Sequence, residues 1–116
     1  MSFRETLGRH LLAIEKRDLE TLAATLADPL ILIMADGKLK RSKSEFVEAH
    51  RGWFAMGNWT LTAKPLEIYE NGGLGVAVLH LDYREDAKRS ESYLTLVFEK
   101  RGGEWLMVQT QNTPIR

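Results

Sequence analysis

Three histidines, a few carboxylates and a cluster of amides near the C-terminal end are the side chains here that could move protons or hold a ligand. His10 stands at helical spacing with Phe3, Leu7 and Ile14, on the inward face of an amphipathic stretch. An imidazole there is either a satisfied core residue or a group lining a pocket. His80 interrupts the apolar strand pattern GLGVAVLHLDYRE and carries the same two readings. A reaction in this chain would need His10 or His80 as its acid or base, which suits an isomerase, dehydratase or cyclase-like step without a cofactor. His50, one turn from Phe46 and Trp53, reads as a helix-face residue at a rim. No two histidines stand at i,i+4 or in an H-E-x-x-H run, so no metal site is expected. There is no G-x-S-x-G elbow, and the serines fall where caps and loops explain them. Asp36 reads as the first residue of an Asp-Gly turn and Asp82 as a strand-end residue.

The closing stretch EWLMVQTQNTPIR alternates like a strand, but amides take the place of its expected apolar residues. A regular hairpin with the preceding strand sets Phe98 opposite Trp105, Leu96 opposite Met107 and Leu94 opposite Gln109. If Trp105 points inward, the two-residue period carries Gln109 and Gln111 inward too, and Asn112 joins them only if a bulge intervenes. A buried amide without a partner costs about 1–3 kcal/mol, so an inward Gln109 needs a neighbour such as His10 or His80, a water or a ligand. The expected ligand-binding walls are Phe46, Trp53, Leu94, Leu96, Phe98 and Trp105, with the amides at the polar end.

The elements that must position these groups are legible from period and caps. Ser2 and Glu5 form a capping box ahead of a helix predicted to end near Arg17. Asp18 caps a second helix, DLETLAATLAD, that Pro29 should stop. LILIMADGKLKR predicts a strand meeting a turn at Asp36-Gly37, and Ser42 with Glu45 caps a third, shorter helix bearing Phe46, His50, Trp53 and Phe54. From Trp59 the period becomes two, giving four strands separated by NGG, a charged DAKRSE loop and RGG. Pro65 marks an edge or a bulge. Helices followed by an antiparallel meander define an α+β domain, a cone of three helices on one face of a curved sheet, and residues 1–116 make one such domain. Both faces of GLGVAVLHLDYRE are partly apolar, which predicts a homodimer through the convex sheet face.

Composition excludes several classes. Sixteen basic and sixteen acidic residues cancel, which argues against a nucleic-acid partner. The absence of cysteine removes disulfides, thiolate metal sites and a thiol nucleophile, and fits a cytoplasmic protein. No stretch has the roughly 18 apolar residues of a membrane span, and MSFRETLGRH lacks the apolar core of a signal peptide.

The helix pair LLAIEKRDLETLAATLADPLILIMADG and the hairpin TLVFEKRGGEWLMVQTQNT resemble the nuclear transport factor-like superfamily, which includes ketosteroid isomerases and SnoaL-like cyclases. The resemblance covers nearly the whole chain and implies a cystatin-like cone. It fits the fold better than the function, because enzymes, ligand binders and association domains share that cone. Many members end in a Trp, two alternating apolar residues and a His-x-His-x-Ser-like segment; here Gln109 and Gln111 replace the histidines. Aligned with the ketosteroid isomerases, the position of the polarising tyrosine is held by His10, that of the general base by Met34, and that of the second acid by about Leu94. A thioether cannot move a proton, and losing the base forfeits about 10²–10⁴-fold, so steroid isomerisation is not expected and Met34 is instead a wall residue. In related association domains the strand position of His80 can carry a pocket cation. Two functions follow: a cone binding a compact, mainly apolar small molecule, or a homodimeric association module whose cone is plugged by its tryptophans.

Overall fold

In the computed structural model, which describes residues 1–116, the elements run α1 (Phe3–Glu15), α2 (Leu19–Ala24), β1 (Leu26–Ile33), β2 (Leu39–Lys40), α3 (Lys43–Ala55), β3 (Trp59–Asn71), β4 (Leu74–Glu85), β5 (Lys88–Arg101) and β6 (Glu104–Pro114). The caps sit where the sequence puts them. Ser2 Oγ accepts from the Glu5 amide while the Glu5 carboxylate accepts from the Ser2 amide, and Asp18 and Ser42 accept from the amides of Thr21 and Glu45. These bonds satisfy amides that the first helical turn leaves without partners.

Three predicted boundaries move. The second helix ends at Ala24, well before Pro29, because Thr25 donates its hydroxyl to the Leu22 carbonyl and its own carbonyl accepts from the Met107 amide, turning the chain into β1. The third helix, at 13 residues, is as long as the first. The charged segment expected as a loop is mostly strand, with β4 and β5 separated by a tight turn at Asp86, whose φ is 54°.

The strands form one six-stranded mixed sheet in the order β2-β1-β6-β5-β4-β3. β1 runs parallel to β6 and every other neighbouring pair is antiparallel. β3 is an edge strand, and its register with β4 shifts between Pro65 and Glu67, so Pro65 is both at the edge and beside a bulge. The helices cover one face, onto which Ala77, Leu79 and Leu81 of β4 and Leu96 and Phe98 of β5 project. Val76, Val78, His80 and Asp82 take the opposite, outer face by alternation.

The narrow end of the cone is solidly filled. Phe3 is fully buried, with its ring centroid 5.5 Å from Phe98 and 5.4 Å from Trp105. This packing depends on Gly75, since a Cβ there would lie 2.7 Å from three atoms of the Phe3 ring. Gly75→Ala should therefore destabilise the fold by about 1–3 kcal/mol through overpacking. Gly8→Ala, at an open position inside α1, should stabilise it by about 0.5–1 kcal/mol. Urea unfolding of both variants tests the contrast in sign.

Candidate functional site

Beyond the filled end the cone opens into a cavity of about 260 Å³ lined by fifteen residues, eleven of them hydrophobic. α1 contributes His10 and Ile14, the end of β1 and its following turn contribute Leu32, Met34 and Ala35, and α3 contributes Phe46, Ala49, His50 and Trp53. The sheet adds Leu61, Leu81, Leu94, Leu96, Thr110 and Asn112. An adjoining hollow toward the rim is bordered by Tyr83, Ser90, Glu91 and Ser92.

A bulge in β6 decides which polar groups reach this space. Phe98 pairs with Met107 and Val97 with Gln109, so Val108 is an extra residue in β6. The regular pairings expected for the hairpin are displaced twice: the tight turn that pairs Arg101 with Glu104 sets Lys100 opposite Trp105 and Phe98 opposite Met107, and the bulge then adds one residue, so that Leu96 faces Thr110 and Leu94 faces Asn112. Trp105 and Met107 point inward, and after the bulge Thr110 and Asn112 do so in place of Gln109 and Gln111. Gln109 and Gln111 stand on the outer phase of β6, away from the cavity.

His10 is 1% exposed, and its Nδ1 lies 2.7 Å from Thr25 Oγ1. The Thr25 hydroxyl gives its one proton to the Leu22 carbonyl at 2.7 Å, so it accepts from His10 Nδ1–H. Nε2 is then the unprotonated nitrogen; it makes no bond within the chain and is not sealed off. His50 repeats the arrangement, its Nδ1–H donating to the Phe46 carbonyl at 2.8 Å while its ring stacks on Phe46 at 4.0 Å. Burial, with a smaller contribution from nearby His50, lowers the His10 pKa to about 3. Burial likewise lowers that of His50, against the opposing pull of the Phe46 carbonyl. Both rings are therefore neutral near pH 7. Asn112 Oδ1 is shut away without a hydrogen-bond partner, which leaves Nδ2 as the accessible end of its amide.

Of the residues singled out from sequence, His10, Met34, Phe46, Trp53, Leu94, Leu96 and Asn112 come together on the cavity. Phe98 and Trp105 do not, because they pack against Phe3 at the closed end. His80 does not either. It occupies the outer face, its Nε2 2.9 Å from Glu91, within a network in which Arg89 bonds Asp82 through two nitrogens at 3.0 Å and Glu91 at 2.8 Å. Asp36 closes the turn before β2 by accepting from the Lys38 amide. His50, expected at a rim, lines the cavity instead, and Thr110, the aliphatic residues Ile14, Leu32, Leu61 and Leu81 and the small residues Ala35 and Ala49 escaped the sequence reading as lining residues. Only the bulge could have revealed Thr110, and alanines leave no mark in a hydrophobic pattern. Trp53 is braced in the wall by donation to Tyr83 Oη at 3.0 Å and by stacking on Trp59 at 4.1 Å.

A family model described as a SnoaL-like domain matches residues 4–114. Among solved structures, a proposed calcium/calmodulin-dependent protein kinase type II association domain from Thiobacillus denitrificans aligns at TM-score 0.87 and 17% identity, over 99% of this chain and 96% of that one. An uncharacterised protein with a cystatin-like fold from Caulobacter vibrioides aligns at TM-score 0.86 and 18% identity, over 97% and 87% of the two chains. A proposed ketosteroid isomerase from Shewanella frigidimarina aligns at 0.83 and 18%, over 94% and 92%. At these identities the likeness is one of fold. Comparison with curated proteins finds no match.

The neutral burial of His10 has a thermodynamic signature. Unfolded histidine takes up a proton below about pH 6.5, whereas folded His10 resists it down to about 3. The unfolded state binds more protons between those values, so stability present above the upper one falls as pH falls through the window. A loss on the order of 2 kcal/mol by about pH 5 is expected, where ordinary carboxylates are still ionised. Urea titrations at neutral and mildly acid pH should show this dependence in the native chain, and His10→Phe should flatten most of it.

Proposed function

The chain belongs to the SnoaL-like domain family, within the nuclear transport factor-like superfamily, and from that premise we propose that it binds a compact, mainly apolar small molecule in the open end of its cone. The observation that carries this reading is the cavity of about 260 Å³, walled by apolar side chains and furnished with His10, His50, Thr110 and Asn112. Apolar walls with a few converging polar atoms are the general form of a small-molecule site.

Turnover would need a group that exchanges protons at working pH. The titratable side chains on the cavity are His10 and His50, both held neutral by burial. A base whose conjugate acid has a pKa of about 3 has little driving force to take a proton at neutral pH. Recognition is accordingly the role proposed for His10, in preference to an isomerase, dehydratase or cyclase-like step. Met34 lines the cavity as an apolar contact.

The second reading, an association module, draws on the filled narrow end and on the outer sheet face. That face carries exposed Ile31, Tyr69, Leu74 and Tyr93 beside half-buried Val76, Val78 and Val97. Apolar side chains exposed on a sheet face favour cover by a second copy of the chain. Dimerisation there is compatible with ligand binding, since the two surfaces lie on opposite sides of the sheet.

Thermal unfolding in the presence of compact hydrophobic acids, ketones, lactones and alcohols tests the pocket. A ligand at roughly ten times its Kd should raise Tm by a few degrees. Ala49→Phe, which intrudes on the cavity from α3, should abolish the rise. A panel without effect on the native chain, or one equally effective on Ala49→Phe, would sink the pocket reading. For the outer face, sedimentation should report a dimer that Val78→Lys converts to a monomer; a native chain sedimenting as a monomer contradicts the interface.

A further inference from the structure

Resting on the ligand-binding reading, we propose that the pocket selects a neutral, hydroxyl-bearing apolar molecule, a phenol or a compact alcohol, over isosteres that cannot donate a hydrogen bond and over carboxylates. The argument starts from the fixed proton positions. His10 Nδ1–H is committed to Thr25 Oγ1 and His50 Nδ1–H to the Phe46 carbonyl, so each ring retains only an Nε2 lone pair for a guest. A lone pair asks for a donor. Asn112 supplies the complementary group: with Oδ1 shut away, its Nδ2 can donate to an oxygen in the same cavity. Thr110, 4% exposed and also on the lining, has a hydroxyl that turns to either role.

A hydroxyl oxygen both donates and accepts, which matches an imidazole lone pair on one side and an amide N–H on the other. An ether or ketone accepts from Asn112 but leaves the imidazole nitrogen desolvated and unpaired. Sites built to pair with a hydroxyl discriminate strongly against analogues lacking it for that reason. A carboxylate fares worse still. No lysine or arginine lines the cavity, and two histidine lone pairs would face its negative oxygens. Arg17, on the helix side of the sheet, is engaged by the Trp59 carbonyl and ring and stays off the lining, and the Arg89 network lies on the outer face.

The experiment uses three matched probes, 4-propylphenol, 4-propylanisole and sodium 4-propylbenzoate, titrated into the native chain and followed by calorimetry and intrinsic tryptophan fluorescence. The phenol should bind about tenfold or more tighter than the anisole, and the benzoate more weakly than the phenol. His10→Phe should bring the phenol-to-anisole ratio close to one while anisole affinity is kept, an outcome that general loosening of the fold would not produce. His50→Phe, at a less buried position, should narrow the same ratio and serves if His10→Phe does not fold. Equal binding of phenol and anisole, or tightest binding of the benzoate, overturns the selectivity and leaves the ligand-binding reading standing. Failure of all three probes to bind overturns both.

Discussion

One extra residue in β6 governs the chemistry of the molecule. Val108 interrupts the ladder with β5 between the Val97 and Phe98 pairings, so the strand enters the bulge with Trp105 and Met107 inward and leaves it with Thr110 and Asn112 inward. A strand has only two faces, so a single inserted residue exchanges every side chain beyond it. Without the bulge the open end of the cone would receive Gln109 and Gln111. With it, the cavity gains a hydroxyl and a shorter amide, and the two glutamines pass to the outer surface. The pairing of Ile31 with Gln109 and of Leu32 with Thr110 extends the new phase into β1, placing Leu32 in the wall and Ile31 outside.

The second governing contact is between Phe3 and Gly75. By letting an aromatic ring sit directly on the sheet, the glycine converts half of the cone into ordinary core, where Phe98, Trp105 and Met107 close around it. The plugged cone and the open pocket, which the sequence presents as alternatives, are therefore two ends of one structure. Tight packing at the closed end secures the positions of α1 and the sheet. His10, two turns along α1 from Phe3, inherits its place at the start of the open end from that anchorage.

Sequence reasoning reached the fold because period, caps and turn residues are local signals. Ser2-Glu5, Asp18 and Ser42-Glu45 each begin a helix where predicted, and the change of period at Trp59 marks the start of the meander. His10, Phe46, Trp53 and Leu94 reached the cavity because each sits on an element of regular phase. The losses came where the phase breaks or the environment is non-local. The Val108 bulge carries no glycine to announce it, so Gln109 and Gln111 were placed on the wrong side. Phe98 and Trp105 have the correct face, but their distance along the cone depends on Phe3, nearly the whole chain away. His80 lies on a strand apolar on both faces, where alternation alone cannot say which side is the core; its partner Glu91 and the Arg89 network settle it on the outside.

The protons of the cavity's two imidazoles are held by partners within the chain. The position resembling an isomerase base is Met34, and the two imidazoles that remain have their N–H groups tied to Thr25 and to a helix carbonyl. Burial keeps both rings uncharged, which in turn keeps the whole lining free of formal charge near neutral pH. In such surroundings the main driving force for binding is removal of apolar surface from water, a force with little directional preference. Direction and selectivity must then come from the few polar atoms, each of which costs free energy if a guest covers it without pairing. A neutral pocket with two lone pairs and one amide donor would draw its discrimination from those few polar atoms, because desolvation penalises a guest that leaves them unpaired.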